Sequence, residues 1–198
     1  MTTRHDDTEL DFLAAQARSH PPLAAAATDR LIGAARGGDR LARESLVEHS
    51  LGAVLAEAVA HRRRGVEVTD LYQEGSLAMV VAIEEYVRRG GPGAGMAGYV
   101  RRVVAAHLDG LVEEAEAAAA EAAALLEDTR LLEIAQIGLR EQIGHEPSAT
   151  ELAAVLHWPR ERVELITGMV TAAREAFDAE IVEFLDDEDD AADGDGEG

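Results

Sequence analysis

The sequence predicts an all-α fold, on three observations. Ala, Leu, Glu and Arg dominate the 198 residues, and these are among the side chains that lose least on entering a helix. Runs of β-branched residues bounded by turn formers are scarce, so little of the chain reads as strand. In the two most apolar segments, large aliphatic residues recur at three-four spacing, the period of a helix with one buried face.

The elements follow in order. Helices are expected over 8–18 and 28–37, the second ended by Gly37-Gly38. Asp39, with the short acceptor side chain of an N-cap, opens a third over 39–63. There Leu46, Val47, Leu51, Val54, Leu55 and Val59 form a core stripe. Gly65 breaks the chain before a fourth helix over 69–89, whose expected stripe is Leu71, Leu77, Val80, Val81 and Ile83, with Ala78 and Ala82 admitting a close neighbour. Arg89-Gly90-Gly91-Pro92-Gly93-Ala94-Gly95 is the strongest breaker and is expected as a loop. The next helix, over 96–128, turns at 111–126 into a stretch of high helix propensity with few large side chains. That stretch reads as an exposed helix or helical linker, and a domain boundary is expected near 112–128. Helices over 130–143, 149–157 and 159–184 complete the set. Ser148 and Glu151 have capping-box spacing, and Pro159 suits a first helical turn. The tight turn at His157-Trp158-Pro159 suggests a helix-turn-helix, with Trp158 as a core anchor. After Leu185 the acidic, low-complexity DDEDDAADGDGEG predicts disorder.

The expected organisation is an N-terminal helix and linker (1–27), a helical domain (28–111), an acidic helical linker (112–128), a small three-helix domain (129–184) and a disordered acidic tail (185–198).

Net charge is -21, but its distribution matters more than its size. Residues 180–198 hold ten acids and no base, and residues 111–128 hold six acids and no base. Residues 59–110 hold seven Arg against six acids, so only this middle is fit to approach a phosphate backbone. The tail reads as solvated, with DNA mimicry or shielding of a basic surface as the alternative. Without cysteine there is no disulfide, thiolate metal site or Cys nucleophile. Charged residues interrupt every apolar run, so no membrane span is expected. The opening MTTRHDDTEL lacks the apolar core of a secretion signal, and a cytoplasmic location is expected.

Catalytic chemistry finds no constellation. The seven histidines show no HExxH and no close pair of them with carboxylates at ligand spacing. There is no phosphate-loop motif, no lysine to serve one, and no G-x-S-x-G. No strand leads into the glycine-rich run, which argues against a dinucleotide site. The chain is therefore expected not to be an enzyme, with no metal and no cofactor.

Asp70-Leu71-Tyr72-Gln73-Glu74-Gly75-Ser76-Leu77-Ala78-Met79 resembles the second conserved region of the bacterial RNA polymerase sigma factors, D-L-x-Q-E-G-x-x-G-L. Its surroundings are similar in order. Gly38-Asp39, Ala42-Arg43 and Leu46-Val47-Glu48 resemble G-D-x-x-A-R-x-x-L-I-E, Arg64-Gly65 resembles the G-R-G turn, and Val81-Ala82-Ile83-Glu84-Glu85-Tyr86 resembles A-V-x-K-F. Leu139-Arg140-Glu141-Gln142-Ile143-Gly144-His145-Glu146-Pro147-Ser148 with Glu151-Leu152-Ala153 resembles the opening of the third region. Phe177-Asp178-Ala179-Glu180-Ile181 is a weaker echo of its close. The resemblance covers roughly residues 10–185.

It implies a sigma-like helical bundle, then the small helix-turn-helix-like domain, and a function in transcription initiation. Asp70, Gln73 and Glu74 match the positions with which that family contacts the clamp helices of the polymerase β′ subunit. Residues 70, 73, 74 and 77 share one helix face, so two carboxylates and an amide would meet a basic partner helix together. The alternative for Asp70 is an N-cap, with Gln73 completing its capping box. Promoter DNA is a weakened partner. The family's melting segment uses aromatic rings as stacking platforms, whereas here residues 86–99 offer only Tyr86, expected in the core, and Tyr99. Arg88, Arg89, Arg101 and Arg102 are the phosphate-contact candidates, with Arg62–Arg64 a second cluster and plain surface solvation the alternative for all of them. The helix-turn-helix around 149–168 balances Arg160 and Arg162 with Glu161 and Glu164, a poor match for a groove, so structural packing is the favoured reading there. The resemblance is not expected to extend to the family's fourth region, since residues 185–198 are acidic and low in complexity. An anti-sigma or co-sigma protein is a further expected partner. Three functions stand: a divergent sigma factor, a sigma-like adaptor that binds polymerase without melting promoters, and a helical interaction protein that keeps only the fold.

Overall fold

The computed structural model describes the backbone of residues 3–63 and 65–192 and the side chains of residues 10–63 and 65–178. Among the described residues the fold is all-α: α1 (Thr3–Ser19), α2 (Ala25–Arg36), α3 (Arg40–Glu48), α4 (Leu51–Ala60), α5 (Val68–Arg89), α6 (Gly93–Ile143), α7 (Ala149–Leu156) and α8 (Arg160–Ala192). The chain divides into two compact units, residues 1–118 and 119–198. The division falls within α6, inside the stretch 112–128. No helix among the described residues is long and apolar enough to cross a membrane.

The first unit is built around α5, which packs against α1, α2, α3 and α4. Its core joins Leu46 of α3, Val54 of α4, Leu71, Met79 and Ile83 of α5, and Val100, Val104 and Leu108 of α6. Gly75 sits at the centre: a Cβ there would stand 3.0 Å from Val54 Cγ1 and 3.3 Å from Val104 Cγ1, so α4 and α6 close on α5 where it has no side chain. Leu10 of α1 and Leu23 pack on the same core, which joins the expected separate N-terminal segment to this unit.

Four expectations change. The helix expected over 39–63 is two helices. The Ser50 hydroxyl donates to the Leu46 carbonyl at 2.7 Å, taking up an acceptor as the chain changes direction between α3 and α4. Val59, placed in the stripe, is 52% exposed. The break expected between 128 and 130 is absent, because nothing there stops a helix already under way. Thr129 Oγ1 donates back to the Leu125 carbonyl at 2.9 Å, a bond a continuing helix accommodates. The loop expected over 89–95 shortens to Gly90-Gly91-Pro92, with α6 starting at Gly93. Finally, α8 is assigned through Ala192, into the segment read as a disordered tail; extending an existing helix through residues such as Leu185 and Ala191 needs no new nucleus. Residues 193–198 of that tail lie outside the described residues, as does Arg64.

The glycine run is built rather than loose. Gly90 ends α5 in the left-handed conformation (φ 69°). A Cβ on Gly91 would overlap the Tyr86 ring, and one on Gly95 would stand 2.5 Å from the Tyr86 hydroxyl. Gly93 lies against α2, where a Cβ would overlap the Ala25 carbonyl oxygen. Its N–H donates to Asp29 Oδ1 at 2.5 Å, so a residue of α2 satisfies a free donor at the start of α6. Tyr86 is buried, and its hydroxyl donates to the Pro92 carbonyl at 2.8 Å.

The second unit has its own small core of Leu132, Leu152, Val163 and Ile166. The capping box at Ser148 and Glu151 is present: Ser148 Oγ accepts from the Glu151 N–H at 3.3 Å, and Glu151 Oε2 accepts from the Ser148 N–H at 2.8 Å. His157 ends α7 in the left-handed region (φ 54°). Trp158 is half-buried against the core, with the Arg162 guanidinium 4.6 Å over its ring.

Ser148→Ala is expected to cost about 1 kcal/mol, read as a lower melting midpoint by circular dichroism. The Ser148 side-chain and backbone hydrogen bonds hold the Glu151 carboxyl below its ordinary pKa. The carboxylate's share in the capping box is therefore full above the unfolded-state value and is lost as pH falls through the lower folded value. The gap in melting midpoint between wild type and Ser148→Ala should narrow in acid but persist, because the bond from the Glu151 N–H to Ser148 Oγ does not titrate.

Candidate docking face and nucleic-acid contacts

α5 has two apolar faces. The inner one is Val68, Leu71, Gly75, Met79, Ala82, Ile83, Tyr86 and Val87, all buried. On the opposite side lie Asp70, Gln73, Leu77, Val81 and Glu84, all exposed, with Val80 at its margin. This corrects the expected stripe: Leu77, Val80 and Val81 point outward, at 64%, 41% and 68% exposure. Small residues explain the inversion, since Gly75 and Ala82 let neighbouring helices reach the backbone on the inner side, while the larger aliphatics remain uncovered.

Asp70 is not the N-cap. The helix begins two residues earlier, with Glu67 at the cap and Asp70 in the first turn. There its charge complements the positive end of the helix dipole, and among the described residues no side chain bonds to it. Gln73 lies one turn on, exposed. Glu74 faces sideways, half-buried, with Oε2 3.4 Å from His107 Nε2 of α6. The structure thus brings Asp70 and Gln73 together on the open face and sets Glu74 at its edge.

Beside this face runs a shallow groove of about 600 Å³ lined by Val80, Val81 and Val87, the carboxylates of Glu84 and Glu85, and Arg36, Arg43 and Arg88. Arg43 reaches in from α3. Its Nη2 donates to the Ala35 carbonyl at 3.1 Å, while its buried Nε has no hydrogen-bond partner and lies 3.8 Å from Glu84.

The nucleic-acid candidates are mostly engaged within the protein. Arg88 Nε and Nη2 donate to Glu85 at 2.9 and 2.7 Å, and Arg89 Nε donates to the same carboxylate at 2.5 Å. The Arg88 hydrogen bond, with Arg89 adding to it, holds the Glu85 carboxyl below its ordinary pKa. Tyr99 is half-buried, its ring 5.1 Å from that of Tyr86. Arg101 Nε donates to Glu57 at 2.5 Å. Arg102 alone of the set is exposed with no ion pair among the described residues. In the second unit Arg160 pairs with Glu164 at 2.7 Å and Arg162 with Asp128 at 2.5 Å, so both arginines of the α7–α8 turn are held locally.

Sequence reasoning missed Glu57. It is a buried carboxylate (6% exposed) in α4, meeting Arg101 and, through Oε2 at 3.8 Å, His61. His61 Nε2 in turn lies 3.1 Å from Asp109 of α6. This network links α4 to α6. Its only signal in the sequence is an acid inside an otherwise apolar helix, LGAVLAEAVA.

No protein-family model matches this chain. Among the described residues no three His, Asp or Glu side chains are grouped to hold a metal ion.

Proposed function

We propose that this chain is a sigma-factor-like transcription protein that binds core RNA polymerase through the clamp helices of the β′ subunit, using the outer face of α5. The observation that supports this most is the pairing on one face of Asp70 and Gln73 with the uncovered Leu77, Val80 and Val81. An apolar strip with a polar end, on a helix whose other face is fully packed, is the form of a helix-docking surface. Asp70 is not the N-cap, so its exposed carboxylate stands on that face in the first turn of α5.

The ion pairs of Arg88, Arg89 and Arg101, and the burial of Tyr99 against Tyr86, support the second reading: an adaptor that binds polymerase without melting promoter DNA. In that reading Arg102 and the exposed Arg62 and Arg63 of the second cluster are left as the phosphate contacts, too few for a stable open complex.

Size-exclusion co-elution with purified core RNA polymerase tests the docking. The wild-type chain should co-elute, and Asp70→Ala/Gln73→Ala should elute separately while keeping its helical spectrum. Equal co-elution of both proteins would place the contact elsewhere. Retention of a minus-ten-like duplex by the complex would sink the adaptor reading.

A further inference from the structure

We infer that the groove between α6 and α8 in the second unit is a docking site for a basic amphipathic helix of a partner protein. The groove holds about 470 Å³ and is lined by Leu125, Leu126, Met169, Val170 and Phe177. Leu126, Met169 and Phe177 are 72%, 44% and 63% exposed, although Leu132, Val163 and Ile166 of the same two helices are buried. Large apolar side chains left together on a surface mark an interaction site. Two helical walls with an apolar floor fit a third helix laid between them, and the unbranched Met169 adapts to its side chains.

Charge selects the occupant. The chain's own residues 193–198, Asp-Gly-Asp-Gly-Glu-Gly, have no apolar side chain to place there. A second copy would bring another unit with 21 Asp and Glu against five Arg, and repulsion of that size opposes pairing. A helix with arginine or lysine along its flanks is attracted by the same field. Within the groove Glu133 and Asp178 face one cation, Arg174, which is held at 3.0 Å by Glu133. Asp178 has no ion pair among the described residues. Along the chain beyond the groove come Glu180, Glu183 and the unbroken acids of 186–190. The surface uses no residue of the α5 face, so each stands or falls on its own test.

The test is fluorescence anisotropy of the full chain with a fluorescein-labelled designed helix about five turns long, leucine along one face and arginine on its flanks. Binding is expected, weakening as salt rises, and weakening at least about tenfold in Leu126→Ser/Phe177→Ser. Asp178→Asn, which touches no packing, should flatten the salt dependence. The same peptide with glutamate in place of arginine should not bind. Failure of the basic peptide to bind, equal binding of the two peptides, or unchanged affinity in the double variant would overturn the proposal. So would a wild-type dimer in sedimentation that the double variant converts to monomer, because the occupant would then be a second copy.

Discussion

Tyr86→Ala is expected to lower the stability of the first unit by about 3–5 kcal/mol, and Tyr86→Phe by about 1 kcal/mol. The difference follows from what the side chain does. Its ring fills the space that Gly91 and Gly95 leave open, where any Cβ would overlap or crowd it, and it packs 5.1 Å from Tyr99. Glycines have no side chain with which to refill the volume, so truncation leaves a cavity that collapses poorly. The phenylalanine variant keeps the ring and loses only the hydroxyl's bond to the Pro92 carbonyl, on an exposed residue that water can reach. Urea unfolding followed by circular dichroism would read both. Equal losses would assign the turn's order to the hydrogen bond rather than to packing. A loss below about 1 kcal/mol in Tyr86→Ala would mean that the ring does not organise the turn.

Leu77→Glu/Val81→Glu is expected to leave stability within about 0.5 kcal/mol of wild type while weakening core polymerase binding by about 100-fold or more. Both side chains are mostly exposed, so two carboxylates there remain in water, and the buried face of α5 is untouched. If these positions were in the core, as their spacing alone suggests, the same double change would bury two unpaired charges at several kcal/mol and unfold the unit. A melting curve therefore tests the structure, and a polymerase titration tests the proposed function. A stable variant that binds as well as wild type would retire the α5 docking face.

Much of the local architecture is legible in the sequence. Helical class follows from composition and period. Asp39 caps α3, accepting from the Ala42 N–H at 3.2 Å, and Ser148 with Glu151 forms its capping box. Caps of this kind involve residues three apart, so spacing contains all the information they need. Asp70 and Gln73 share one face of α5 for the same reason, while Glu74 turns to its edge beside His107.

Tertiary packing decided the rest. Periodicity fixes which side of a helix is buried only when one side is apolar, and α5 is apolar on both; the approach of Val54 and Val104 to Gly75 settled which face turned inward. The glycine run reads as a breaker, yet Gly93 is shaped by α2, and Asp29, 64 residues away, receives its N–H. Arg101 reads as a surface cation free to meet phosphate, but it pairs with Glu57, 44 residues earlier. By itself the sequence determined that the chain is helical, where most helices begin, and how its charge is distributed along the chain. Which apolar face is covered, and that Arg101 is already paired with Glu57, only the tertiary structure decided, because both depend on contacts between residues that sequence spacing does not bring together.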